Sequence, residues 1–125
     1  MSGTVTVPKK PGHSGVGHFK IERLTAVLLI PLTLWALYEA IKVAPGGYDA
    51  FIAFIREPSS AALVLLLATI SAAHMRLGMT VIIEDYVETP ALRGLALLVN
   101  FLVVVAAWLI VLYSIAAAYL PGLPH

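Results

Sequence analysis

Read from one end to the other, the chain does not alternate apolar and polar residues. It collects apolar residues into long runs separated by short polar breaks. Three runs, 24–44, 61–83 and 92–120, hold few charges, and each reaches the length of about 20 helical residues, at about 1.5 Å per residue, that crosses a hydrocarbon core. The pattern predicts an all-α membrane protein with three transmembrane helices. After the first run, Pro45-Gly46-Gly47 stops the helix, and Tyr48 to Glu57 follows with apolar residues at Phe51, Ile52, Phe54 and Ile55. That spacing predicts a short amphipathic helix of about a turn and a half, lying in the membrane surface rather than spanning it. Pro58 suits the first turn of the second helix. Only residues 84–91 separate the second and third runs, with Thr89-Pro90 as the start signal. The tail Pro121-Gly122-Leu123-Pro124-His125 cannot continue a helix. Residues 1–20 therefore read as a cytoplasmic N-terminal segment, and 21–125 as a single three-helix transmembrane anchor domain.

Composition settles the solvent. At 60% hydrophobic and 12% charged residues, with mean hydropathy +0.93, the chain lies far from the soluble average of about 25% charged. A net charge of +1, with no Gly-rich phosphate loop and no basic cluster, argues against a nucleic-acid partner. No cysteine is present, which excludes disulfides, thiolate zinc sites and iron-sulfur clusters ligated by this chain, and leaves histidine as the soft ligand. Residues 1–15 carry Lys9 and Lys10 but no apolar core and no arginine, unlike a signal or transit peptide. Lys9, Lys10, Lys20, Arg23 and Arg93 fall on one side of the predicted membrane and Lys42 and Arg56 on the other. By the positive-inside rule the N-terminus is cytoplasmic. Three spans without internal similarity give no sign of a transporter's inverted repeat. Three helices also bury little of their own surface, so the expectation is one component of a larger anchor bundle.

Within the second run stands His74, where an unpaired imidazole is expensive. Two readings stand level: a hydrogen bond to a neighbouring helix, or axial ligation of haem iron. Gly78, one turn on, lies about 40° around the same face and would let a flat macrocycle approach the backbone. His13, His18 and His125 belong to the ends, so a second axial ligand must come from another chain. Asp85 follows His74 by eleven residues, within about 20° of the same face and about 16 Å along the axis. Tyr86 beside it could donate to a quinone carbonyl, and the carboxylate could position an arginine or pass a proton. Taken alone, such a pair more often anchors a helix end.

The remaining charges divide by position. Arg76 lies about 200° around the helix from His74, which favours a structural or lipid-headgroup role. Arg23 opens the first span at about the level of Asp85, either snorkelling to the surface or meeting an anionic ligand. Glu39 and Lys42 are i,i+3 neighbours and read as a surface pair.

The string His74, Gly78, Asp85, Tyr86, Val87 at this spacing strongly resembles the small hydrophobic membrane anchor subunits of succinate dehydrogenase, complex II. Gly15-Val16 with Phe19, Arg23, Thr25 and Ala26 resembles that family's start of the first helix, and Ala91-Leu92-Arg93 its start of the third. The resemblance covers nearly the whole chain. It implies a role in succinate:ubiquinone oxidoreductase, beside a companion cytochrome b anchor subunit, an iron-sulfur subunit and a flavoprotein subunit. FAD and the iron-sulfur clusters would lie in those partners, and haem b and ubiquinone between the two anchors. His74 would be one axial ligand of haem b, Tyr86 would bind ubiquinone, Asp85 would support that site through a companion arginine, and Arg23 would approach the haem propionates. His18 stands where some relatives carry histidine or aspartate, and Arg76 is not shared by all members. A bacterial inner membrane is the expected location, the mitochondrial inner membrane being second. Two other classes stand beside this one. One is a small multidrug-type transporter, for which Glu39 is the sole candidate coupling acid, and the other is a structural anchor without haem.

Overall fold

The breaks in the chain are made by proline and glycine. In the computed structural model, which describes residues 14–120 together with Gly3 and Gly122, helix α1 runs Ser14–Val43 and passes through a single 3-10 turn, Ala44–Gly46, into α2, Gly47–Arg56. Helix α3 spans Pro58–Tyr86 and α4 Pro90–Tyr119. Gly47 adopts φ +67°, a left-handed value that costs an L side chain about 1 kcal/mol or more and glycine almost nothing. Pro58 and Pro90 each open a helix, where their missing N–H is no loss. The residues before them, Glu57 and Thr89, are extended with ψ 120°, as a following proline requires.

Three helical segments are long and apolar enough to cross a membrane, and the chain is an all-α, multi-pass membrane protein. The helices outrun the apolar runs that predict them. Helix α1 begins ten residues before residue 24, so Lys20, Glu22 and Arg23 ride on the helix itself. Helix α2 extends over ten residues, longer than a turn and a half, with Arg56 in its last turn. Apolarity marks the part of a helix that meets lipid, whereas the helical backbone runs on into polar residues and ends where turn residues cluster, as at Pro45-Gly46-Gly47; a lone Pro31 or Gly78 does not end it.

Helix α3 is the centre of the arrangement. It packs against α1 on one side and α4 on the other, and among the described residues no Cα of α1 comes within 8 Å of one in α4. Helix α2 folds back onto all three long helices: Ile55 is buried, the Phe54 ring meets that of Trp35 on α1 at 6.0 Å, and Arg56 Nε donates to the Ala118 carbonyl of α4 at 2.8 Å. The buried positions are mostly small, with Ala61, Ala117, Ala118, Thr25 and Ser60 among them. Small side chains let helix backbones approach in lipid, where packing rather than water exclusion drives association. Large apolar side chains point outward instead, including Leu24, Val27, Ile30, Leu34 and Leu37 along α1.

Candidate functional site

His74 does not face lipid alone. Its Nδ1 lies 2.9 Å from Oγ1 of Thr25 on α1, and the same hydroxyl donates to the Glu22 carbonyl at 3.0 Å. A hydroxyl carries one hydrogen, so it serves either Glu22 or His74. With the hydrogen on the Glu22 carbonyl, the oxygen accepts from Nδ1–H; with it on Nδ1, the ring proton sits on Nε2, which no described residue accepts. The first arrangement satisfies more donors and leaves the Nε2 lone pair available, the form in which histidine binds a metal.

The space beside it is open. A Cβ built on Gly78 would meet nothing nearer than Glu22 Oε1 at 4.0 Å. These two contacts also fix the register of α1 on α3: Thr25 stands at the level of His74 and Glu22 at that of Gly78. Arg23 is therefore within one turn of the His74 level and about two and a half turns from Asp85 along the axis. The expected match between Arg23 and Asp85 is not made, because α1 starts well before its apolar run and slides Arg23 inward. Its guanidinium is exposed, 5.0 Å from the Phe19 ring centre.

Asp85 and Tyr86 form the last turn of α3 and both are exposed, Tyr86 at 81%. Neither side chain has a partner among the described residues. The turn that follows is closed by Arg93, whose Nε donates to the Val87 carbonyl at 2.9 Å, while Val87 N–H bonds back to Ile83 O. The pair is therefore held at the end of a helix whose exit is pinned from α4.

Arg76 points to the other side of α3. Its guanidinium stacks 5.1 Å from the Phe101 ring centre on α4, and its carbonyl accepts from Asn100 Nδ2 at 3.2 Å and Thr80 Oγ1 at 2.8 Å. It belongs to the α3–α4 seam, away from Thr25. Glu39 and Lys42 pair at 3.2 Å on one face of α1. His18 falls in the early turns of α1 with its side chain outside the described residues, as are His13 and His125 altogether.

Two functional contacts escape sequence reasoning. Thr25 is one hydroxyl among several in the spans, and its partner lies 49 residues away; only its place on the first helix hinted at it. Arg93 reads as a topology charge and acts as a loop clasp. Among the described residues no three His, Asp or Glu converge. The arrangement offers a single imidazole nitrogen beside an open glycine face, which suits a metal held mainly by a planar macrocycle and completed from another chain.

Comparison with known proteins follows the same direction. The sequence profile described as "Succinate dehydrogenase/Fumarate reductase transmembrane subunit" matches residues 9–113. The chain is similar to the succinate dehydrogenase hydrophobic membrane anchor subunit of Rickettsia felis, 27% identical over 107 residues, covering 83% of this chain and 89% of the relative. The protein of the same name from Rickettsia bellii is 32% identical over 81 residues, 65% of each chain. That from Rickettsia typhi is 29% identical over 86 residues, 69% of each.

Proposed function

The chain belongs to the succinate dehydrogenase/fumarate reductase transmembrane subunit family, and from that premise we propose that it is the membrane anchor of a succinate:ubiquinone oxidoreductase, providing one axial ligand of haem b and part of the ubiquinone site. The relatives named above support succinate dehydrogenase rather than fumarate reductase. The observation that carries the reading is His74: Nδ1 engaged by Thr25, Nε2 without a partner among the described residues, and the open face of Gly78 one turn away.

In this reading His74 would hold the haem iron through Nε2, together with a histidine of a companion cytochrome b anchor. When bound, the haem supplies a one-electron redox centre within the membrane. Arg23, exposed and within a turn of the His74 level, is the cation of this chain assigned to the propionates. Tyr86 donates its phenolic hydrogen to a quinone carbonyl, and Asp85 orients that site by holding a guanidinium of the companion. Both side chains are exposed and without a partner among the described residues, as groups completed by a second chain would be. Electrons arrive from a flavoprotein subunit with FAD by way of an iron-sulfur subunit; this chain binds, positions and anchors. The membrane is a bacterial inner membrane with the N-terminus cytoplasmic, and α2 lies in the opposite interface. The basic residues on the N-terminal side and the bacterial relatives support that placement.

A transporter reading needs a membrane-embedded acid, and Glu39 is neutralised by Lys42 instead. The test is the visible absorption spectrum of the purified complex with and without His74→Ala. Loss of the b-type signal is expected; a signal that survives the substitution overturns the ligand assignment.

A further inference from the structure

We propose that Thr25 is the positioning residue that orients His74 and sets its strength as a ligand. The inference rests on the haem reading above and adds to it a role for a side chain on a different helix. Thr25 is 8% exposed, so its bond to the imidazole is shielded from both water and lipid. Its hydroxyl stands between two partners, the Glu22 carbonyl of the preceding turn at 3.0 Å and Nδ1 of His74 at 2.9 Å, and both are satisfied when its one hydrogen goes to Glu22 and the oxygen takes Nδ1–H. Threonine in a helix has two χ1 wells, and the bond to the preceding turn selects one of them. The backbone of α1 thereby fixes the Thr25 rotamer, the rotamer fixes the acceptor, and the acceptor fixes both the tautomer and the plane of the ring.

The chemical consequence follows from where the proton sits. A hydrogen bond accepted from Nδ1–H pushes electron density towards Nε2 and makes it a better donor to a metal. A more basic ligand stabilises the oxidised iron, so the midpoint potential is lower with the bond than without it. A valine at this position keeps the β-branched shape and puts a methyl where the hydroxyl was. The ring then loses its acceptor, and its Nδ1–H is orphaned or shifts to Nε2, where it blocks ligation.

The experiment uses the whole complex carrying Thr25→Val, Thr25→Ser or Thr25→Ala, and measures haem per flavin together with the b-type midpoint potential. Haem per flavin corrects for any loss of assembly, and the alanine variant reads the same comparison if valine packs badly. Partners lost around a metal-binding histidine weaken metal affinity about 10- to 100-fold, so Thr25→Val and Thr25→Ala are expected to lose haem on that scale and to shift the remaining signal to higher potential. Thr25→Ser, which keeps the hydroxyl, should return both readings towards the parent. Potential and haem content unchanged in Thr25→Val and Thr25→Ala, while His74→Ala abolishes the signal, would overturn the role of Thr25 alone. A loss that serine does not restore would equally overturn it, since packing would then be the cause. A b-type signal that persists in His74→Ala removes the haem reading and this inference with it.

Discussion

The hydroxyls in the spans differ in what they bond. Thr69, Thr80 and Ser114 each donate to a carbonyl four residues back in their own helix, which silences a polar group in lipid within the helix that carries it. Thr69 and Thr25 also reach across a seam, Thr69 by accepting from Trp108 Nε1 and Thr25 by meeting His74 Nδ1. What sets Thr25 apart is its partner, which is the candidate ligand. Of the candidate residues, His74, Gly78, Asp85 and Tyr86 are legible in the sequence because each interrupts or ends an apolar run at a helical spacing. The partner of Thr25 is not legible, because helix register is set by contacts between helices and leaves no trace in a local pattern. Arg76 illustrates the same limit: the angle from His74 says which way it does not point, and only the packing of α4 supplies the Phe101 ring. At this scale Tyr86 gives the sharper test. Tyr86→Phe removes one hydroxyl from a fully formed helix end and should lower succinate:quinone activity by about tenfold or more, the value of a hydrogen bond of about 1.5 kcal/mol. Electron delivery to a soluble dye should be unchanged, and equal quinone activity in the two proteins would reject the assignment.

At the scale of elements, α3 carries both candidate stations on one uninterrupted helix, His74 and the Asp85-Tyr86 pair. Their separation and mutual angle are set by backbone hydrogen bonding alone. One alanine inserted between Val81 and Ile82 should advance the pair by about 1.5 Å and turn it by about 100°, leaving His74 and its bond to Thr25 in place. The b-type spectrum is expected to persist while quinone reduction falls; retained quinone reduction would show that the two stations are not phased by the helix. The number of helices is readable from run length and the stops at Pro45, Pro58 and Pro90. Their true ends are not, because the helices continue into polar residues such as Glu84 and Lys20. The distance from Arg23 to Asp85 escapes the sequence for that reason: counting from the start of the apolar run puts α1 too far out along α3.

The whole molecule is open. Among the described residues no large side chain is fully buried, and bulky apolar residues line the outer faces of α1 and α4. Helices apolar all round give no amphipathic stripe from which to read neighbours, so the central position of α3 is invisible in the sequence, whereas the need for further chains is plain from the thin core. A tagged copy of this chain extracted in mild detergent should bring down a flavoprotein and an iron-sulfur subunit in equal amounts. The same chain expressed without a companion anchor should fail to accumulate in the membrane. Recovery of the chain by itself, stable and without flavin, would speak for an independent protein.

The separation of α1 from α4, with no Cα of one within 8 Å of the other among the described residues, has a consequence for how substitutions combine. The α1–α3 seam, with Thr25, Glu22, His74 and Gly78, and the α3–α4 seam, with Arg76, Asn100, Phe101 and the Trp108–Thr69 bond, are joined through the backbone of one shared helix. A replacement in one can be compensated locally without disturbing the other. A substitution at Phe101 on the α4 side and one at Thr25 on the α1 side should therefore add in their effect on stability to within about 0.5 kcal/mol, as independent sites do.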